Sequence, residues 1–219
     1  SPLDAVSIAC KHPEAEVVFL ATGFENGAPP TALALYRAHE VKLRNFSLLG
    51  EYLRLTPALE MLLAPPQTAV HGILAAGHAS TVTGYSEYES LAHVHQIPFV
   101  LTGLDALDIL EGIYRCVKQL EDGRTEVEST HSCSTPRRGD PATQFLVDSV
   151  FMQTPCRWRS FGEVPAGALR LRTRFAFFDA ELRFGLSDLT ATEHPECMSG
   201  AVLRGQLEPH DCPCYGQSC

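Results

Sequence analysis

Four of the eight cysteines in this chain fall in its last twenty-three residues, as Cys197, Cys212, Cys214 and Cys219. Four thiols so close along a chain are what an iron-sulfur cluster or a structural zinc ion requires, because soft, deprotonated sulfur is a ligand both accept. The spacing favours iron-sulfur ligation. Zinc ribbons use Cys-x-x-Cys knuckles, whereas Cys212-x-Cys214-x-x-x-x-Cys219 with a distant Cys197 matches no common zinc arrangement. A proline beside a ligand cysteine, as in Cys212-Pro213, also recurs in cluster sites. The expectation is a metal centre on Cys197, Cys212, Cys214 and Cys219, with zinc as the alternative occupant.

Cys10, Cys116, Cys133 and Cys156 share no repeating spacing, and Cys10 and Cys116 sit in helical patterns as expected small buried hydrophobes. Disulfides are the weaker reading, since 219 residues bury a sizeable core without staples and no signal peptide is visible. A reducing, cytoplasmic location is expected. Two further candidates lie in glycine loops, Glu25 in Gly23-Phe24-Glu25-Asn26-Gly27 and His78 in Gly77-His78-Ala79-Ser80. The structural alternatives are that Glu25 caps the next helix and His78 is a hydrogen-bonded turn residue. Gly23 to Gly27 is not a dinucleotide fingerprint, because the third glycine is missing and Pro29 and Pro30 remove amide donors.

Both loops follow short apolar runs that read as buried strands: 16–21, 46–49, 72–76 and 98–101. Helical patterns run between them, including 57–63, with Thr56 as the expected cap, 86–95, and the amphipathic 105–120. Strands separated by helices of this length imply a mostly parallel sheet with helices on both faces, where ligands collect at the carboxyl ends of strands. The fold class expected is α/β, with a Rossmann-like domain over residues 1–122. The region 123–219 is expected to hold a connecting loop at 121–140, a helix at 141–151, a β segment at 170–184 and an irregular α+β cysteine-rich end. The chain begins at Ser1 without Met and stops on a candidate ligand, which reads as a cut fragment.

A formal charge of −9, from 17 Lys and Arg against 26 Asp and Glu, disfavours a nucleic-acid partner. No apolar run is long enough to span a bilayer. Arg170, Arg172 and Arg174 alternate as one solvated face of a strand would.

Several of these features occur together in one family. Gly23-Phe24-Glu25 with Pro29 and Thr31, the loop from Leu74 to Ser80, Trp158-Arg159 with Gly162, Phe178-Asp179-Ala180-Glu181 with Arg183-Phe184, and the ending Gly200 to Gly205, Pro209 to Pro213, Gly216 and Cys219 resemble the HypD family of hydrogenase formation proteins. The resemblance implies a maturation factor for nickel-iron hydrogenases. On such a factor the Fe(CN)2CO centre is assembled with a small HypC-type chaperone and a HypE-type cyanide donor. It also implies two similar α/β domains and a smaller region carrying a 4Fe-4S cluster. The Gly-Phe-Glu and Gly-His loops would line the cleft between domains, making Glu25 and His78 proton-handling residues.

The chain departs from that pattern. The family's Cys-Gly-Gly-His-x-His and Cys-Pro-Val-Cys motifs, whose cysteines hold the nascent iron, do not occur in it. The family's Gly-Phe-Glu-Thr-Thr reads Gly-Phe-Glu-Asn26-Gly27, and Pro-Gly-His reads Ala76-Gly77-His78. Two family ligand positions fall on Thr192 and Ser199, with Cys197 and Cys214 as the new thiols nearby. The expectation is an iron-sulfur scaffold or electron conduit, incomplete by itself and with no self-contained catalytic site. The competing readings are a binding module with a zinc staple or no metal, and, with least support, a hydrolase or transferase using Glu25 and His78.

Overall fold

A computed structural model describes residues 1–130, 135–186, 194–217 and 219. Its elements, in chain order, begin with α1 (Pro2–Lys11), β1 (Val17–Ala21), α2 (Ala28–Glu40), β2 (Phe46–Gly50), β3 (Tyr52–Leu53), α3 (Leu55–Leu63), β4 (Ile73–Ala76) and α4 (Ser86–His95). They continue with β5 (Phe99–Thr102), α5 (Ala106–Glu121), β6 (Val127–Ser129), α6 (Pro141–Val150), β7 (Phe151–Trp158), β8 (Gly162–Leu171), α7 (Ala180–Phe184) and α8 (Ser199–Leu203). The fold is α/β, with parallel strand pairs flanked by helices. No described helix is long and apolar enough to cross a membrane.

Two compact units interleave along the sequence. The first holds Ser1–Leu55, Ala142–Arg157 and Glu163–Thr192, and the second holds Thr56–Pro141, Trp158–Gly162 and Glu193–Cys219. The four strands expected in one sheet therefore pair in two: β1 with β2 in the first unit, and β4 with β5 and then β6 in the second.

In the first unit α2 is the crossover between β1 and β2, which pair in parallel from Val17 opposite Phe46 to Ala21 opposite Gly50. Ala28, Ala32, Ala34, Leu35 and Ala38 form its fully buried face, and the small side chains let the helix approach the strands closely. Phe46, Phe151, Phe175 and Phe178 fill the remaining core. Asn45, just before β2, is buried, with Nδ2 2.8–2.9 Å from the carbonyl oxygens of Ala9, His12 and Ala15. One amide thus ties the end of α1 to the entry of β2.

A second sheet in this unit orders β3, β8 and β7, with β8 antiparallel to β3. It was hidden in the sequence by Pro155 and Pro165, which argue against strands because proline cannot donate to a ladder. Pro155 is tolerated because β7 is an edge strand. Beyond Leu171 the expected β segment at 170–184 gives way to a 3-10 helix (Thr173–Phe178) and to α7. Asp179 starts the second of these: its carboxylate accepts the backbone N–H groups of Glu181 and Leu182 and caps α7. The three alternating arginines consequently part company. Arg170 pairs with Glu51 at 2.6 Å, Arg172 donates to the Asp148 carbonyl, and Arg174 lies over Phe175.

In the second unit β5 is central, and Phe99, Val100 and Leu101 are fully buried. The expected loop at 121–140 contains β6, paired in parallel with β5. Thr56 is not a cap, since α3 begins one residue earlier at Leu55. The amphipathic 105–120 segment forms α5, but its apolar side is the exposed one. Asp108, Gly112 and Gln119 are buried while Leu107 is 80% and Leu110 63% exposed. Cys10 is exposed rather than buried; Cys116 is half-buried, and burial pushes its thiol pKa up. Cys133 and Thr192 lie outside the described residues.

Two packing results are testable. Replacing Asn45 by Ala removes the side-chain donor from the Ala9, His12 and Ala15 carbonyls, of which His12 keeps the Ala15 N–H, and lowers unfolding free energy by about 1–3 kcal/mol; urea denaturation showing less than about 0.5 kcal/mol would mean that the freed carbonyls are solvated in the variant. A Cβ at Gly27 would collide with the Tyr52 ring. Gly27→Ala should therefore destabilise by about 1–3 kcal/mol, and the penalty should shrink by at least about 0.5 kcal/mol in a Tyr52→Ala background. Additive penalties would remove the contact as the cause.

Candidate functional site: a three-thiol centre and two glycine loops

The described residues from 194 to 219 include a single buried residue, Cys214. A segment so poor in apolar burial needs other bonds to hold its shape. Its local turns are made by the backbone. The N–H groups of Tyr215, Gln217 and Cys219 donate to the carbonyls of Cys212, Cys214 and Cys214, and the 3-10 turn Pro209–Asp211 is closed by a capping box between Glu208 and Asp211. These turns and α8 bring the Sγ atoms of Cys197, Cys212 and Cys214 within 4.8 Å of one another.

Donors around the sulfurs suit bound thiolates. The Met198 N–H points at Cys212 Sγ across 3.4 Å. Ser199 Oγ lies 3.2 Å from Cys197 Sγ. The Ser199 hydroxyl, then its backbone N–H, with a further contribution from the charge of Arg159, hold the Cys197 thiol below its ordinary pKa. Ser199 therefore stands beside a thiol as its partner. Arg159 belongs to the tip Trp158–Gly162, where Ser160 also touches the Ser199 hydroxyl and Arg204 stacks over Phe161 at 5.4 Å. The tail is tied down again where Ala69 N–H donates to the Arg204 carbonyl at 2.8 Å.

Cys219 is exposed and is not among the three grouped thiols. The sequence reading passed over His194, whose Nδ1 is 3.3 Å from Cys214 Sγ. The Glu196 N–H approaches the same nitrogen at 3.4 Å. The His194-x-x-Cys197 spacing was the available signal.

The Glu25 loop is in the first unit. Gly23, at φ +114°, turns the chain out of β1, and its carbonyl accepts the Leu53 N–H at 2.9 Å. Phe24 bridges to Leu53, and Glu25 opens a 3-10 turn ahead of α2. Its carboxylate faces Arg54 across 3.5 Å, with both side chains only 12% exposed. Arg54 is itself fixed, donating to Gln153 Oε1 at 3.1 Å and the Ala166 carbonyl at 3.2 Å. Nearby, Tyr52 OH and Thr31 Oγ1 are 2.7 Å apart, and Thr31 donates onward to the Gly27 carbonyl. Burial raises the Tyr52 pKa, partly offset by the Thr31 hydrogen bond. The ring occupies the space that any side chain at Gly27 would need.

His78 is in the second unit, exposed on the 3-10 turn Gly77–Ser80 that follows β4. Its carbonyl accepts the Thr81 hydroxyl, and the Gly77 carbonyl accepts that of Thr135. Ser80 is buried and donates to Tyr88 OH at 3.2 Å, which anchors the turn to α4.

Comparison with known proteins identifies the family. The family model described as HypD, hydrogenase formation hypA family, matches residues 1–219. A hydrogenase maturation factor HypD of Cupriavidus necator is 38% identical over 226 residues, covering 100% of this chain and 60% of that protein. The one of Rhizobium leguminosarum is 40% identical, covering 100% of this chain and 59% of its own length, and that of Escherichia coli is 32% identical with the same two shares. The chain thus spans about 60% of the length of the curated relatives it matches. It belongs to the HypD family of hydrogenase formation proteins.

Proposed function

We propose that this chain carries the metal-binding part of a hydrogenase maturation factor and serves as an iron-sulfur scaffold and electron-transfer component while the Fe(CN)2CO centre is assembled. The observation that carries the reading is the gathering of Cys197, Cys212 and Cys214 in a tail with almost no core. Those three thiols, with Cys219 a short loop away, would hold a 4Fe-4S cluster. When bound, such a cluster supplies one-electron transfer. Arg159 and the Met198 and Ser199 donors would offset the charge of the bound thiolates. Glu25, pinned by Arg54 in the first unit, and His78, exposed on its turn in the second, would each hold or move a proton. The partners proposed are a HypC-type chaperone and a HypE-type cyanide donor, which the family relationship supports.

A second reading has a specific observation behind it. Thiols sharing one tetrahedral ion at a Zn–S distance of about 2.3 Å lie roughly 3.8 Å apart, and the three here are all within 4.8 Å. His194 beside Cys214 could complete a single-zinc site. That reading makes the tail a structural staple.

Metal and acid-labile sulfide analysis of anaerobically purified protein separates the two. Iron with sulfide and visible charge-transfer absorption, lost in Cys212→Ser and Cys214→Ser, is the expected result. Zinc without sulfide establishes the staple, and no metal with an intact fold removes both. Stripping the metal should also expose 194–219 to protease while leaving the β5 amides protected from hydrogen exchange, because that strand is held by its own buried core.

A further inference from the structure

At the carboxyl end of α2 the first unit carries an open groove of about 490 Å³. His39, Lys42, Leu43 and Arg44 form one side, and Arg174, Phe177 and Phe178 the other. No carboxylate lines it, although the chain as a whole carries a formal charge of −9. Lys42, Arg44 and Arg174, all of which line the groove, have no carboxylate partner among the described residues.

Basic residues at the end of a helix have an ordinary role, which is to offset its negative pole. That pole is worth about half a charge, and the backbone already satisfies several of its carbonyls. Leu43 N–H donates to the Ala38 carbonyl and Lys42 N–H to that of His39, with Lys42 in the left-handed region at φ +54°. Three unpaired cations exceed what the pole needs. They stand around an apolar wall: Phe177 is 55% exposed, is braced edge-on by Phe178 at 5.5 Å, and has the Arg183 guanidinium 5.7 Å from its ring. Arg183 is already engaged by Glu16 and the Arg44 carbonyl, so it stiffens the wall.

We propose that this groove binds a small organic anion whose charge is carried on a flat ring system, of the class of nucleoside phosphates. The phosphate groups take Lys42, Arg44 and Arg174, and the ring takes the face of Phe177. Size favours a small molecule. Ligand pockets run from about 300 to 1,000 Å³, and the seven residues lining this one are far fewer than the roughly 20–30 per side of a protein interface.

Calorimetric titration of the full chain with ADP, inorganic pyrophosphate and adenosine tests it. ADP should bind with a dissociation constant below about 1 mM, at least about tenfold tighter than either pyrophosphate or adenosine, and more weakly as salt is raised. Arg174→Ala and Lys42→Ala should each weaken ADP at least about fivefold. Phe177→Ala should weaken ADP while leaving pyrophosphate unchanged, and Lys118→Ala, remote in sequence and in the other unit, should change nothing. The proposal is overturned by no ADP binding to protein whose circular dichroism is native, by binding that Arg174→Ala leaves intact, or by pyrophosphate binding as tightly as ADP. Binding of a poly-glutamate peptide in place of ADP also overturns it, in favour of an acidic polypeptide.

Discussion

The tail from 194 onward has to be held together by something other than apolar burial, and most of what is distinctive in this chain follows from that. With Cys214 its single buried described residue, the segment gains little from the hydrophobic effect, which stabilises by roughly 25 cal/mol for each Å² of apolar surface removed from water. Backbone turns at Cys212 and Cys214 shape it, yet such hydrogen bonds largely exchange for bonds to water and add about 1 kcal/mol each. A metal bonded to three or four thiolates would supply far more, because the ligand set exists only when the loop is formed. Three of the sulfurs do converge, Ser160 of the tip from Trp158 to Gly162 meets the Ser199 hydroxyl, the charge of Arg159 acts on Cys197, and the Ala69 N–H donates to the Arg204 carbonyl.

The gathering of thiols was legible because four cysteines in the last twenty-three residues are too dense to pass for core, and three of them do converge. Which three was less so. Cys219 looked as good as Cys214, and only the turn that points one thiol inward and leaves the other exposed tells them apart. His194 was missed because a lone histidine before a cysteine carries little signal until the chain folds it against Cys214. For the fold, β1, β2, β4 and β5 were readable from apolar runs bounded by turn residues, although only β5 is buried throughout, as the full apolar run implies; Val18 and Leu20 of β1 and Leu74 of β4 are exposed. The sheet of β3, β8 and β7 was not, because its prolines mimic loop and its pairing with Tyr52 and Leu53 spans more than a hundred residues of sequence. At 170–184 the alternation holds in β8 only as far as Leu171; a 3-10 helix follows, and Asp179 then caps α7.

Gly27 shows how a loop position finds its physical cause in a neighbour. The Tyr52 ring fills the volume a side chain at Gly27 would need, and the ring hydroxyl reaches Thr31, which in turn holds the Gly27 carbonyl. The Glu25 carboxylate meanwhile faces the Arg54 guanidinium across 3.5 Å. Gly23 turns the loop backbone on one side, and Arg54 holds it on the other.

α5 teaches the opposite lesson about apolar patterns. Its sequence periodicity is strong, and a rule that turns the apolar side inward places Leu107, Leu110 and Tyr114 in the core. Three polar or small residues are buried instead. Gly112 allows the helix to press against Thr102 of β5 at a distance that any side chain would forbid. Gln119 is fully buried with its Oε1 accepting the Glu126 N–H, which fixes the helix to the entry of β6. Asp108 is buried one turn before Gly112 on the same face. Positions 108, 112, 115 and 119 form a single stripe at helical spacing, so one rotation of the helix turns all of them inward. Gln119 Nε2 is buried without a partner among the described residues, so polar satisfaction does not by itself choose this rotation. The close approach at Gly112 and the Oε1 bond at Gln119 accompany it, and the apolar stripe faces outward.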